Sequence, residues 1–250
     1  MYKYKFPRPS VTVDCVLFGY DPEQATLDVL LIRRNGDPFK GQLALPGGFV
    51  EVGGEDDTMD SSHSDQGESL ETAARRELEE ETGAKLDYLE QLATFGEPNR
   101  DPRGRVISVA YYGLVRSKDL SVTAGSDASE AQWHSISKAR AMKLAFDHNL
   151  ILETAVKRVQ SKTRYAPIGF NLMPTKFTIR ELRQLYEALL FRELDRSNFS
   201  KKMLSVGILS PEGEREWGTK KVQLYRFNKK AYDSASSAGF NFEPRYMKGK

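Results

Sequence analysis

The stretch Ser69-Leu70-Glu71-Thr72-Ala73-Ala74-Arg75-Arg76-Glu77-Leu78-Glu79-Glu80-Glu81-Thr82-Gly83 decides how this chain folds. Ser69 is a good N-cap and Gly83 a good terminator, so the segment predicts a helix over 69–82. At about 100° per residue, Leu70, Ala73, Ala74 and Leu78 cluster on one side. Glu77 and Glu81 fall in the middle of that side, Glu80 at its edge and Glu79 opposite. A charge run is ordinarily a solvated face, but here two carboxylates point inward, where unpaired charge is costly. A divalent cation resolves the conflict, because hard oxygen ligands at i, i+3 and i+4 suit Mg²⁺ or Mn²⁺.

The segment resembles the Nudix box, G-x5-E-x7-R-E-U-x-E-E-x-G-U with U aliphatic. Glu68, Arg76, Glu77, Leu78, Glu80, Glu81 and Gly83 match in register, with Ala84 as the final small apolar residue. Upstream, Leu45-Pro46-Gly47-Gly48-Phe49-Val50-Glu51 matches as well, with Gly48 as the box glycine. Gly48 and Glu68 are separated by 19 residues instead of five, an insertion of about 14. The inserted stretch, Gly53 to Gln66, is rich in Gly, Asp and Ser, lacks periodicity and reads as a surface loop.

The resemblance implies hydrolysis of a nucleoside diphosphate derivative, with Mg²⁺ or Mn²⁺ held by Glu77, Glu80 and Glu81. It further implies that Glu68 joins the metal shell and that Arg76 orients a carboxylate. A general base is not identified; Asp127 and Glu130, before the strand 131–133, are candidates. The turn Phe95-Gly96-Glu97-Pro98-Asn99-Arg100-Asp101-Pro102-Arg103-Gly104-Arg105 and the run Ala145-Phe146-Asp147-His148 resemble the ADP-ribose-directed Nudix branch. Gly48, Arg100, Arg103 and Arg105 are then the candidate substrate-binding residues, since three arginines suit two phosphates. The bland alternative is an exposed, charged hairpin tip.

Outward from the helix, 11–18, 27–32 and 106–115 read as strands and 44–50 as a short strand interrupted by its glycine pair, with a turn at 21–24. Residues 147–159 read as a helix with Leu150, Ile151, Ala155 and Val159 toward a core. The fold class expected is α/β: a Nudix α/β/α sandwich with a mixed sheet over 1–163, containing the 53–66 loop. A linker is expected over 164–173, where the pattern breaks around Tyr165–Phe170.

From Thr178 the pattern changes. Ile179, Leu182, Leu185, Tyr186 and Leu189 recur at helical spacing behind a Thr178–Glu181 capping box. Asp195 opens a shorter helix with Phe199, Met203 and Leu204 as core, and strand-like pieces follow at 208–209 and 222–227. Helix, helix and hairpin in that order predict a small α+β winged-helix domain over 174–250. It resembles that of the Nudix-related transcriptional regulators, the NrtR family, although Trp217-Gly218-Thr219-Lys220-Lys221 stands where that family often has Gly-Arg-Pro-Ala. Arg196, Asn198, Lys201 and Lys202 are candidates to read a DNA major groove, and Lys220 and Lys221 to reach phosphates from a wing at 210–221. Charge agrees: residues 174–250 carry 16 Lys and Arg against 9 Asp and Glu, a balance of +7, whereas 1–173 carry 21 against 26, a balance of −5.

Apolar content of 39% and charged content of 29% exclude a disordered chain. No apolar run approaches the roughly 18 residues of a membrane span, so no membrane partner is expected. The N-terminus lacks a signal-peptide pattern, and Cys15, the single cysteine, reads as a core residue; a cytoplasmic setting is expected. Three functions remain in play: a DNA-binding sensor of ADP-ribose or a related nucleotide, an ADP-ribose pyrophosphatase with a structural or dimerising appendage, or both activities together. The complete carboxylate set favours the combination, as a homodimer. The family points to control of NAD or sugar metabolism.

Overall fold

The computed structural model describes residues 6–52, 67–86, 88–120 and 128–237. The loop expected at 53–66 and the candidate base Asp127 lie outside them. Two compact units form. The first comprises residues up to Gly19, Asp28–Gly113 and Ser117–Ala155; the second comprises Tyr20–Leu27, Leu114–Arg116 and the chain from Val156 onward.

The first unit is built on the strands β1 (Ser10–Asp21), β2 (Thr26–Arg34), β3 (Leu43–Ala44), β4 (Gly47–Phe49), β5 (Glu90–Phe95), β6 (Val106–Arg116) and β7 (Ala128–Ser135), with the ends of β1, β2 and β6 at 20–21, 26–27 and 114–116 counted in the second. They make one seven-stranded sheet in the order β3-β2-β1-β6-β5, with β4 added on β1 and β7 on β2. β1 is buried almost end to end, so it reads as a continuous apolar run and not as an alternation. Within that run only Thr12 and Asp14 are polar and buried. Cys15 is buried, with its thiol donating to the Ala74 carbonyl at 3.4 Å, and burial raises its pKa.

The expected strand at 44–50 is split. Its first part, β3, pairs with β2 (Ile32 opposite Ala44), and its second, β4, pairs with β1 (Asp14 opposite Gly47). Pro46 has no N–H to continue a ladder, and its carbonyl accepts from the Cys15 N–H at 2.8 Å. Gly47 has φ 152°, and a Cβ there would collide with the Val13 carbonyl. The switch sets the Gly47-Gly48 backbone beside Asp14.

Helix α1 (Leu70–Thr82) follows, capped by the Ser69 hydroxyl, which accepts from the Thr72 N–H, and by left-handed Gly83. It packs on β4 and β7. Helices α2 (Ile136–Ala141) and α3 (His148–Lys162) complete the region, and the division between units falls inside α3. One expectation for α3 fails: Leu150 is 53% exposed, whereas Ile151, Leu152, Ala155, Val156 and Val159 are buried. The buried stripe runs through Leu152 and Val156, and Leu150 lies off it.

The second unit has α4 (Ile179–Leu190), α5 (Arg196–Ser205), the hairpin β8 (Leu209–Trp217) and β9 (Lys220–Phe227), and α6 (Lys229–Ser237). This is the expected helix, helix, hairpin order. The capping box is complete: the Glu181 N–H donates to the Thr178 hydroxyl at 3.2 Å, and the Thr178 N–H to the Glu181 carboxylate at 2.7 Å. Tyr186 meets Phe199 edge-on with ring centroids 5.4 Å apart. Within the stretch 164–173, Phe170, Leu172 and Met173 are buried, and Phe170 stacks on Phe227 at 4.3 Å. The hairpin is longer than the sequence suggested, because Trp217 opposite Lys220 extends its ladder to a turn at Gly218-Thr219.

Leu204, expected in the core of α5, is 47% exposed, while neighbouring Met203 is fully buried. Met203→Ala should therefore cost about 2–5 kcal/mol, and Leu204→Ala about 0.5 kcal/mol or less. Urea midpoints of the two variants check this, and equal losses would contradict the assigned helix face.

Candidate functional site

Arg76 gathers the carboxylates of the α1 face. Its Nε and Nη2 form a fork on Glu68 at 3.1 and 2.7 Å, and Nη1 reaches Glu77 and Glu80, each at 3.0 Å. Nη2 also donates to the Phe49 carbonyl at 3.1 Å, which ties the helix to β4. Glu81 is buried and accepts from the Gly47 N–H at 2.8 Å. Glu77 lies so close to Gly48 that a Cβ there would overlap the carboxylate, 2.6 Å from its Cδ. The expected wheel holds: Glu77 and Glu81 point inward, Glu80 is at the exposed edge and Glu79 is outside.

Burial raises the pKa of Glu77, and Glu80 and Glu68 add to that rise, against the pull of Arg76. The Arg76 fork lowers that of Glu68, and the same contact raises that of Arg76. Hard carboxylate oxygens on one helix face match Mg²⁺ or Mn²⁺ in chemistry. Their geometry is the arginine-held one: among the described residues, no group of three or more His, Cys, Asp or Glu is arranged around a cation position.

A cavity of ≈ 600 Å³ opens in front of these groups, lined by Glu77, Glu81, Arg76, Gly48, Arg34 and Arg103 among others. Its volume suits a nucleotide-sized ligand. A smaller recess shares Arg34, Gly47, Gly48 and Arg103 and adds Thr12, Asp14, Arg100, Phe146 and His148.

The recess contains a buried charge network. Arg100, with its side chain 3% exposed, forks onto Asp147 at 3.0 and 2.7 Å and reaches Asp14 at 3.3 Å. Ser108 donates to the same Asp14 oxygen. The Leu45 N–H donates to His148 Nδ1 at 2.9 Å, which puts the imidazole proton on Nε2, 3.3 Å from the other Asp14 oxygen. Burial alone would raise the Asp14 pKa, but His148, Ser108 and Arg100 outweigh it and hold the carboxylate below its ordinary value.

Of the three arginines in the 95–105 turn, Arg103 and Arg100 line a cavity, and only Arg100 is buried in ion pairs. Arg105 lines neither; its Nη1 donates to the Gly96 carbonyl at 2.6 Å. Glu130 lies within β7, not before a strand, and forms a cross-strand pair with Arg33 at 2.9 Å, away from both cavities. The sequence reading missed Arg34, Asp14 and Thr12. A signal existed for two of them: Asp14 is a lone acid in an apolar strand, and Arg34 ends the apolar run of β2.

In the second unit, Arg196, Asn198 and Lys201 are exposed on α5, and Lys202 is half-buried. Lys220 and Lys221 are exposed beside the hairpin turn, with Lys221 Nζ 3.8 Å from Glu214. Trp217, at the same end, is exposed with the guanidinium groups of Arg180 and Arg215 each 5.6 Å from its ring. Among the described residues, no helix is long and apolar enough to cross a membrane.

Comparison with known proteins covers both units. Residues 8–155 match the NUDIX domain, and residues 169–227 the NrtR DNA-binding winged helix domain. The chain is 35% identical over 246 residues to the ADPR responsive transcriptional repressor NtrR of Acinetobacter baylyi, covering 98% of this chain and 90% of that one. It is 38% identical over 152 residues to the ADP-ribose pyrophosphatase of Methanocaldococcus jannaschii, covering 60% of this chain and 76% of the relative. The structure of Shewanella oneidensis NrtR in complex with a 27mer DNA superposes with a TM-score of 0.69 at 32% identity, covering 93% and 97% of the two chains. Both resemblances read from the sequence, and the α/β-plus-winged-helix fold class, are borne out.

The depressed Asp14 pKa carries a stability consequence. Its contribution is complete above the ordinary value of 3.8 and is lost as pH falls through the lower folded value. Asp14→Asn should lower neutral-pH stability by about 1–3 kcal/mol, since an amide in place of the carboxylate cannot accept from Arg100, Ser108 and His148 together. The gap to wild type should shrink as pH falls below 3.8. Denaturant titrations at pH 7 and pH 3 measure both; a gap that widens toward acid contradicts the network.

Proposed function

The chain belongs to the NUDIX family and carries an NrtR-type winged helix, and from that premise we propose a transcriptional repressor whose Nudix unit binds ADP-ribose or a related nucleoside diphosphate derivative. The observation that carries the ligand class is the convergence of Arg34 and Arg103 on the cavity that Glu77 and Glu81 also line. Two guanidinium groups suit adjacent phosphates, and Gly48 leaves room for the Glu77 carboxylate on the cavity wall. Ligand binding controls DNA affinity. Exposed Arg196, Asn198 and Lys201, with Lys202, form the reading face of α5, and Lys220 and Lys221 support it from the wing. A homodimer in the cytoplasm would present two such helices to half-sites about one or two turns apart, roughly 10 base pairs each.

A second activity, hydrolysis of the bound ligand, is favoured by the complete set of Arg76, Glu77 and Glu81 on the cavity wall with Glu68 and Glu80 paired to Arg76. Glu77, Glu80 and Glu81, with Glu68, would hold Mg²⁺ or Mn²⁺. Such a cation, when bound, supplies charge neutralisation for the diphosphate and a more acidic water. The residues' own part is positional. The Gly47 N–H fixes Glu81, and Arg76 keeps Glu77 and Glu80 together until a cation competes for them. The alternative is a plain ADP-ribose pyrophosphatase whose second unit is structural.

A mobility-shift assay on the protein's own upstream DNA, with and without ADP-ribose, separates these readings. A shift that ADP-ribose changes is expected; no shift even at low salt leaves only the enzyme. The triple variant Arg196→Ala, Lys201→Ala, Lys202→Ala should lose the shift. Wild-type affinity should fall with salt at a log–log slope of about −0.9 per neutralised phosphate. With Mg²⁺ or Mn²⁺, release of AMP from ADP-ribose is expected, and Glu81→Gln should remove most of it without changing the thermal midpoint by more than a few degrees. Undiminished turnover in Glu81→Gln would count against a metal-dependent role for this carboxylate.

A further inference from the structure

Phe146 lines the recess that shares Arg34 and Arg103 with the cavity. Arg34 Cζ lies 4.9 Å and Arg103 Cζ 5.5 Å from its ring centroid, and Arg103 also lies 4.8 Å from the ring of Phe49. Two guanidinium groups brought together repel each other. Burial, and then the neighbouring Arg103, depress the Arg34 pKa. Asp101 neutralises part of the charge through its fork on Arg103, with the shorter contact at 2.7 Å, and the Pro38 carbonyl accepts from Arg34 Nε at 3.0 Å. An aromatic face offers such cations a negative surface without neutralising them.

The ring is itself firmly held. The Phe146 backbone is left-handed, with φ 50°, a conformation that bulky residues adopt only under constraint. The constraint comes from its neighbours on both sides. Ala145 donates its N–H to the Leu43 carbonyl at 2.8 Å, Asp147 takes the Arg100 fork, and His148 accepts from Leu45. Phe39, also left-handed with φ 65°, meets the Phe146 ring edge-on at 4.8 Å.

We propose that Phe146 is a positioning residue: a cation–π platform that holds Arg34 and Arg103 converged, against a repulsion that Asp101 only partly offsets, so that together they bind a diphosphate. The inference rests on reading the cavity as a diphosphate site. It adds that affinity depends on an aromatic face which acts through the two arginines and makes no ligand hydrogen bond of its own. Leucine fills comparable apolar space but has no such face, whereas tyrosine keeps it.

Calorimetric titration tests this with inorganic pyrophosphate and, separately, ADP-ribose, in chelator-containing buffer. Phe146→Leu should weaken pyrophosphate binding about tenfold, the size expected from losing two cation–π contacts. Phe146→Tyr should stay within about twofold of wild type, and thermal midpoints report folding. If Phe146→Leu does not fold, Phe146→Met replaces it with the same expectation. A double-mutant cycle separates positioning from packing: in an Arg34→Gln background, Phe146→Leu should cost clearly less than it does in wild type. Unchanged pyrophosphate affinity in the Leu variant, or an undiminished loss in the Arg34→Gln background, overturns the platform. Wild-type binding of pyrophosphate but not ADP-ribose sinks the ligand reading and leaves the platform standing. Wild-type binding of ADP-ribose that Phe146→Leu does not weaken does the reverse, and failure of the wild type to bind either ligand overturns both.

Discussion

A buried arginine must keep its charge, and the recess beside the cavity is organised around meeting that requirement. Arg100 comes from the turn between β5 and β6, Asp14 from the centre of β1, and Asp147 from the start of α3. Desolvating three such charges is costly, and the cost is met only if every hydrogen-bonding position is filled. Ser108 and His148 fill those on Asp14, and the Leu45 N–H fills the last on His148. The arrangement therefore locks a turn, a strand and a helix start to one another. Because Arg103 follows Arg100 and Phe146 precedes Asp147, it also delivers both to the recess.

The cavity then brings opposite charges to one space, with Arg76 paired to carboxylates on one side and Arg103 to Asp101 on the other. On the α1 side, Arg76 satisfies Glu68, Glu77 and Glu80 while Glu81 is held by the Gly47 amide. On the other, Arg34 and Arg103 rest on aromatic rings. Internal partners thus keep the carboxylates in place, and a rigid apolar surface keeps the two cations together. A phosphate-rich ligand would complete the second set, and a divalent cation would compete with Arg76 for the first. The glycine pair matters to both, because Glu77 occupies the space a side chain at Gly48 would need.

The second unit shows how far a charge count goes. The balance of +7 over residues 174–250 includes glutamates along β8, and Glu212 and Glu214 face Lys176, Arg226 and Lys221. The hairpin is therefore closer to neutral than its lysines suggest. At the hairpin end the chain presents Trp217 with two arginines near its ring, in place of the turn often found in the family.

Much of this was legible in the sequence. Helix α1, its caps and the inward direction of Glu77 and Glu81 follow from a 3.6-residue period and the preferences of Ser and Gly at helix ends, which are local properties. The same holds for the capping box that opens α4. Period alone misassigned Leu150 and Leu204, because an apolar residue one step off the stripe looks like a member of it until a neighbouring element covers one side only. The split of 44–50 between two partner strands, the inclusion of Arg34, the exclusion of Arg105 and Glu130 from the cavity, and the meeting of Arg100 with Asp147 depend on contacts between residues far apart in the chain. Spacing along a chain carries no information about such contacts. They are fixed only when strands choose neighbours and buried charges find partners, and that choice belongs to the tertiary structure.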